Sequence, residues 1–165
     1  MSESKTVFSS HVQLLEIVSQ GQCDDKGVLQ LGCLLQWMDI AACLAAERHA
    51  KHNAVTLAMD DLNVDSTLRA GDVVRIEGQV NAAFGTSMEV GVTVQAESAD
   101  AAGERAVVSA CFIFVALDAD GKKIKVEPIA PQSVEEKHAY QLAQERRALR
   151  SKKKELEAEA AAEAH

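Results

Sequence analysis

The sequence lacks the features that define several large classes of protein. Its formal net charge is −8 over 165 residues, whereas a nucleic-acid-binding surface is basic. No window of about eighteen residues is apolar and free of charge, except one stretch that Asp39 interrupts. The N-terminus, Met-Ser-Glu-Ser-Lys, has no signal-peptide pattern. We therefore expect a cytoplasmic protein that binds neither nucleic acid nor membrane.

Several familiar motifs of metal and nucleotide sites are also missing. The four cysteines form no C-x-x-C pair, and none has a histidine at ligand spacing, so we expect reduced, buried thiols and no metal. There is no G-x-G-x-x-G motif and no Walker loop. Residues 85–89 lack the second glycine of a G-x-S-x-G nucleophile elbow. His49 and His52 are interpreted as the solvated end of a helix.

What the sequence does contain is one long apolar stretch, Val28 to Ala50. It is rich in leucine and alanine, which favour helix. Because it is apolar almost all round, we predict a buried central helix. Asp39 lies in its middle, between Trp37-Met38 and Ile40. A lone carboxylate among apolar neighbours loses hydration, which is costly unless the group is paired or protonated.

The rest of the chain predicts strands followed by a polar helix. We predict a first strand at residues 11–18 and a short apolar strand at residues 54–59. Apolar and polar residues alternate cleanly at 73–81 and 88–97, which predicts two further strands. Residues 106–117 are apolar on both faces, as in a central strand. A long helix followed by strands predicts an α+β domain in which a curved antiparallel sheet wraps the helix. Ser133 to Glu136 is a capping box. We therefore divide the chain into a domain at 1–131 and a charged, solvated helical extension at 132–165.

Asp39 has two interpretations on the residues alone. It is either a structural acid satisfied by hydrogen bonds, or a general base or nucleophile whose pKa is tuned by apolar walls. Free backbone N–H groups at the helix start, near Gly32 and Cys33, could receive a developing oxyanion. A carboxylate and an oxyanion receiver on one helix suggest acyl transfer in which the acid activates water.

The apolar stretch from Gly27 to Ala50 resembles the helix of the hotdog-fold acyl-CoA thioesterases. The likeness is greatest to the branch with the animal acetyl-CoA hydrolase and brown-fat-inducible enzymes and the short bacterial members. Later segments resemble further motifs of that family: Val55–Leu62, Arg69–Asp72, Phe84–Val90, Glu135–Tyr140 and Glu145–Arg147.

The resemblance implies a fold, an assembly and a reaction. The fold is a helix wrapped by an antiparallel sheet. Two subunits join their sheets edge to edge, and such dimers often assemble into hexamers as trimers of dimers. The sites lie at the dimer interface and hydrolyse acyl-CoA to free acid and coenzyme A, without a further cofactor. Asp39 matches the family's helical acid, which activates water against the thioester. Thr56, Thr86 and Ser87 become candidates for substrate binding.

One position departs from the family pattern. Members carry an asparagine three residues before the loop glycine, contributed by the opposite subunit, and this chain has Asp24 before Gly27. An ionised aspartate can only accept hydrogen bonds. Asp24 and Asp39 could share one proton, with the protonated acid imitating the amide. Alternatively the chain is a weakened enzyme, or an inactive acyl-CoA-binding or regulatory protein. In a third reading, Asp24 caps the helix and another group replaces the asparagine.

The phosphates of coenzyme A require local cations in this acidic chain. Arg48 and Arg69 are our leading candidates for substrate binding. The other basic candidates are Lys51, Arg75, Arg105 and the stretch from Arg146 to Lys154.

Overall fold

The computed structural model describes residues 5–97 and 103–163. Residues 1–4, 98–102 and 164–165 lie outside that description. They belong to the predicted domain at 1–131 and to the predicted extension at 132–165. The elements, in chain order, are β1 (Lys5–Thr6), β2 (Val12–Ile17), α1 (Leu31–Ala50), β3 (Asn53–Val64), β4 (Val73–Phe84), β5 (Ser87–Glu97), β6 (Glu104–Leu117), β7 (Ile129–Ala130) and α2 (Val134–Glu163).

Helix α1 is the predicted central helix, but it begins three residues later than expected. Val28 and Leu29 form isolated bridges with Arg69 and Cys23 instead, so the chain is extended up to Gln30. The helix ends at Lys51, whose left-handed conformation (φ 60°) stops it. Its sheet-facing side is fully buried, whereas Ile40 and Leu44 are exposed. The helix is thus buried on one side only, not all round as predicted.

The main sheet has five antiparallel strands in the order β2-β4-β5-β6-β3. In β4 and β5, alternation predicts that every second residue from Val74 to Val80 and from Met88 to Ala96 faces the helix, and all of these positions are buried. The two layers are in close contact at Gly78, where an added Cβ would lie 3.0 Å from the carbonyl oxygen of Ala41. The α+β architecture predicted from the sequence is therefore confirmed. None of the described helices is long and apolar enough to cross a membrane.

Strand β3 is longer than predicted and forms one edge of the sheet. The sequence suggested a run from Ala54 to Met59 that Asp60-Asp61 interrupts. In the structure the strand continues to Val64. Of its two register shifts against β6, the one between Asp60 and Asn63 absorbs the interruption. Asp61 adopts a positive φ of 50° within the second irregularity. Most side chains of β3 are exposed.

Helix α2 lies against the outer face of the sheet and corrects two expectations. In this polar segment the sequence offers little to bury except Ala139, Leu142 and Leu149. Both leucines are exposed, and Ala143 is the residue that is fully buried. The alternation of residues 88–97 places Glu89 on the outward side of the strand, where solvent is expected, but Glu89 is fully buried. Arg146 of α2 covers it and pairs with it (Nη2 to Oε1, 2.6 Å). Arg146 and Arg150 are therefore held to the sheet, whereas the lysines that follow, Lys152 to Lys154, are exposed as predicted for a solvated helix.

Candidate active site

Asp39 and Thr56 form a hydrogen-bonded pair beside the edge strand. The hydroxyl of Thr56 on β3 donates to Oδ1 of Asp39 on α1 at 2.8 Å. Asp39 is half-buried and Thr56 is exposed. No other group in the described part of the chain donates to this carboxylate. One oxygen is thus oriented by the threonine, and the other is free to accept a proton from water.

Asp24 lies in a tight loop before α1, and its side chain accepts hydrogen bonds from the backbone of that same loop. Its Oδ1 accepts hydrogen bonds from the backbone N–H groups of Lys26 and Val28, both at 2.9 Å. Gly27 completes this loop with a positive φ of 74°. Asp24 therefore does not cap the helix, as one reading of the sequence expected, because it caps a turn that precedes α1. Oδ2 of Asp24 has no partner among the described residues.

The start of α1 offers fewer free N–H groups than the sequence suggested. The N–H of Cys33 donates to the carbonyl of Gln30 at 3.0 Å, so it is not available to an oxyanion. The N–H of Gly32 has no acceptor among the described residues. Gly32 and Asp39 are seven residues apart, which is roughly 10 Å along the axis. One helix cannot place both groups on a single thioester carbon.

The four other predicted substrate-binding residues are not gathered around Asp39 within one protomer. Ser87 alternates with the inward-facing Met88 and therefore shares the outer face of the sheet, opposite α1. Thr86 lies in the adjoining turn. Arg48 is nine residues beyond Asp39, roughly 13 Å along α1. Arg69 contacts the Asp24 loop, donating to the carbonyl of Lys26 at 3.4 Å.

Most of the other basic candidates already have carboxylate partners. Arg75 pairs with Glu104, and Arg105 pairs with Asp72 at 2.8 Å. Arg146 and Arg150 contact acids of the sheet. Arg48 and Arg69, in contrast, donate to backbone carbonyls and pair with no carboxylate in the part of the chain that the structure describes. Their charges are therefore available to an anion.

The four cysteines are free thiols, and two of them have raised pKa values. All four are free and half-buried, less buried than predicted. Burial, with the nearby Glu47 and Asp39, raises the pKa of the Cys43 thiol. Burial, and then the charge of Glu89, raises the pKa of Cys111 to about 12. Neither thiol is activated as a nucleophile. No cluster of three or more potential metal ligands occurs among the described residues.

The sequence reading missed the polar cluster on the outer face of the sheet. Arg146 binds both oxygens of buried Glu89, with its Nε at 3.2 Å from Oε2, and also contacts Asp61 at 3.3 Å. Hydrogen bonding to Glu89 raises the pKa of the Arg146 guanidinium. The spacing of Arg146 and Arg150, one helical turn apart, was the available signal that this side of α2 faces acids.

The chain belongs to the thioesterase superfamily. The model of that family matches residues 26–112. A crystal structure of an acyl-CoA hydrolase from Bacillus cereus superposes with a TM-score of 0.88 at 30% identity, covering 96% of this chain and 97% of that one. The wrapped helix is therefore the hotdog fold that the resemblance implied.

Sequence relatives carry the same family name at different lengths. The mouse acyl-coenzyme A thioesterase 11 is 40% identical over 141 residues, which are 86% of this chain but 24% of that protein. An uncharacterized acyl-CoA thioester hydrolase of Bacillus subtilis, YkhA, is 32% identical over 92% of this chain and 85% of its own length. The chain thus spans about a quarter of the animal relative and most of the bacterial one.

Proposed function

We propose that the protein is an acyl-CoA thioesterase that hydrolyses fatty acyl-CoA to a free acid and coenzyme A. The observation that carries this proposal is the Asp39–Thr56 pair. Thr56 orients the carboxylate, and the free oxygen of Asp39 takes a proton from the water that attacks the thioester carbonyl. The carbonyl oxygen gains negative charge as the tetrahedral intermediate forms, so it needs donors such as the N–H of Gly32. Coenzyme A enters as part of the substrate, and no other cofactor is required.

The site is completed in a homodimer that pairs two β3 edges antiparallel across a two-fold axis. The chain that follows the end of β3, at Val64, contacts the segment just after the Asp24 loop. The N–H of Leu29 donates to the carbonyl of Leu68, and Val28 forms a bridge with Arg69. Thr56 is eight residues before Val64, roughly 26 Å away along the strand. Antiparallel pairing brings the end of one β3 to the Thr56 half of the other. The Asp24 loop and Gly32 of one subunit then approach Asp39 of its partner.

Solved relatives support both the site and the assembly. The acyl-CoA hydrolase of Staphylococcus aureus, at 25% identity and a TM-score of 0.86, was solved with butyryl coenzyme A. Alanine variants of that enzyme replace an asparagine, an aspartate 15 residues later and a threonine 17 residues after that. Asp24, Asp39 and Thr56 have the same spacings. A hexameric acyl-CoA thioesterase at 30% identity supports a trimer of such dimers, and cytosolic relatives support a cytoplasmic location.

Asp24 takes the place of the family's asparagine at this interface. Its Oδ1 is bound to the backbone of its own loop, and an asparagine Oδ1 could accept the same two hydrogen bonds. The difference therefore lies in the second atom, an acceptor oxygen in Asp24 and a donor nitrogen in asparagine. An ionised Asp24 beside Asp39 of the partner repels it and cannot donate to water or to the thioester oxygen. The second candidate function follows from this: an acyl-CoA-binding or regulatory protein with little turnover.

Thiol release from acyl-CoAs of graded chain length distinguishes the two functions. The thioesterase releases coenzyme A, and Asp39→Asn lowers kcat by about 10²- to 10⁴-fold without changing the circular dichroism spectrum. Asp25→Asn, at an exposed acid of the same loop as Asp24, is the matched control and leaves kcat unchanged. Full turnover by Asp39→Asn would contradict the assignment. Binding of a non-hydrolysable acyl-CoA without thiol release from any substrate would favour the binding protein.

A further inference from the structure

Helix α2 crosses the outer face of the sheet and leaves it at the edge strand. Arg146 pairs with Glu89 on β5, and one turn later Arg150 pairs with Asp60 on β3 (Nη1 to Oδ2, 2.5 Å). Strand β3 is the last strand of the sheet. From residue 151 to residue 161 every side chain is exposed. These eleven residues, which we call the arm, extend roughly 16 Å past Arg150, more than three strand widths.

The arm carries two charge blocks of opposite sign. A basic block, Lys152, Lys153 and Lys154, comes first and is followed by an acidic block, Glu155, Glu157 and Glu159. The sign therefore reverses about one helical turn beyond the last ion pair with the sheet. Within the described chain the arm forms one ion pair of its own, from Lys153 to Glu157 at 3.8 Å. Most of its charges consequently have no ion-pair partner in the described part of one protomer.

A stripe of exposed leucines runs along the same helix. Leu149 and Leu156 are seven residues apart and are 67% and 56% exposed, and Leu142 continues the spacing in the other direction. Residues at this interval lie on one side of a helix, as in the seam of a coiled coil. A helical segment this short has little stability in water without tertiary contacts. A second helix packed alongside would both bury the leucines and pair the charges.

We propose that the arms of two copies cross the dimer seam antiparallel and pack against each other. This inference rests on the proposed β3 seam. The two-fold axis of that seam puts both α2 helices on the same face of the joined sheets, and each helix heads across the edge toward the other subunit. The acidic half of one arm then lies beside the lysines of the other. A parallel arrangement would oppose like charges, so the charge order selects the antiparallel one.

Charge reversal in the full-length chain tests the pairing. One variant carries Lys152→Glu, Lys153→Glu and Lys154→Glu, and a second carries Glu155→Lys, Glu157→Lys and Glu159→Lys. A matched control places the same lysine-to-glutamate changes at three exposed loop lysines, Lys122, Lys123 and Lys125. The dissociation constant of the dimer is measured by sedimentation at low and high salt, with circular dichroism as the check on folding.

Each arm variant alone should raise the dissociation constant at least about tenfold at low salt, because up to six ion pairs per dimer become repulsive. An equimolar mixture of the two variants should restore it, and the loop control should change it little. Arm variants that behave like the loop control would overturn the inference. Weakening without rescue in the mixture would also overturn it, because the arm would then contact the partner's body. If the unsubstituted chain were monomeric, both the arm pairing and the proposed interface site would be wrong. If it were dimeric but insensitive to the arm variants, only the arm pairing would be wrong, so the two failures are distinguishable.

Discussion

At the scale of single residues, the hydroxyl of Thr56 is the group that orients the proposed base. Thr56→Val keeps the shape of the side chain but removes the donor to Asp39. We expect kcat to fall by about 10²-fold, because a small misplacement of a reacting group is costly, with KM changed far less. Thr56→Ser retains the hydroxyl and is the control. Equal rates for the valine and serine variants in a thiol-release assay would show that the hydrogen bond has no part in turnover.

Substitution of Asp24 is expected to raise kcat, whereas substitution of Thr56 by valine lowers it. Asp24→Asn preserves the two backbone hydrogen bonds to Oδ1 and replaces a free acceptor by a donor. We expect unchanged thermal stability and a kcat at least about tenfold higher, because the amide can donate to the oxyanion or to water without adding charge. Steady-state kinetics decide this. A lower kcat in the asparagine variant would mean that the carboxylic acid itself has a role in the reaction.

His49 makes stability depend on pH. The interpretation of His49 as part of a solvated helix end is wrong, because it is fully buried at the end of α1. Its Nε2 lies 2.8 Å from the carbonyl of Glu127, and its Nδ1 has no partner among the described residues. Burial lowers its pKa below 6.5, and the facing Lys5 and Lys51 act in the same direction, opposed by Glu127. The unfolded chain therefore binds a proton more readily, so stability falls as the pH drops below about 6.5.

Urea unfolding between pH 7 and pH 5 measures this effect. One differential proton corresponds to a slope of at most about 1.4 kcal/mol per pH unit. His49→Gln should flatten the slope in this window, whereas His52→Gln, at an exposed position, should leave it unchanged. Identical slopes in all three proteins would rule out His49 as the titrating group.

At the scale of elements, the Glu89–Arg146 pair attaches α2 to the sheet. Arg146→Ala removes the cation that binds both oxygens of the fully buried Glu89 carboxylate and leaves it only Arg150, whose Nη1 is 3.6 Å from Oε2. We expect a loss of about 3 kcal/mol in the free energy of unfolding. Arg147→Ala, which removes only a contact over the ring of Phe84, should cost less than about 1 kcal/mol. Chemical denaturation compares the two. Similar losses would mean that the buried pair does not hold the helix.

The elements that the sequence predicted well are those in which one side is apolar. Alternation identified β4 and β5, and the lone acid in an apolar helix identified Asp39. Alternation also placed Glu89 outward, which is correct for the strand, but could not show that Arg146, 57 residues away, covers it. The same limit applies to β3, where the interruption at Asp60-Asp61 is absorbed by a bulge whose acids pair with α2. Contacts made by long-range packing leave little trace in local periodicity.

At the scale of the whole molecule, the arrangement explains why one protomer contains an incomplete site. Asp39 and Thr56 lie beside an unpaired edge, while Gly32 and the Asp24 loop lie at the other end of that edge. The sequence alone favoured a single helix that supplies both the base and the oxyanion donors. The axial separation of Gly32 and Asp39 rules this out within one subunit. The two-fold pairing of β3 edges that we propose would bring the two halves together.

Subunit complementation tests this central claim most directly. Asp39→Asn removes the base, and Asp24→Arg fills the facing loop, so each homodimer should be inactive. Mixed in equal amounts and allowed to exchange, the two variants should recover about a quarter of the unsubstituted rate, because half of the dimers then contain one intact site. No recovery despite demonstrated exchange, or an Asp24→Arg variant with full activity, would contradict a site shared between two subunits.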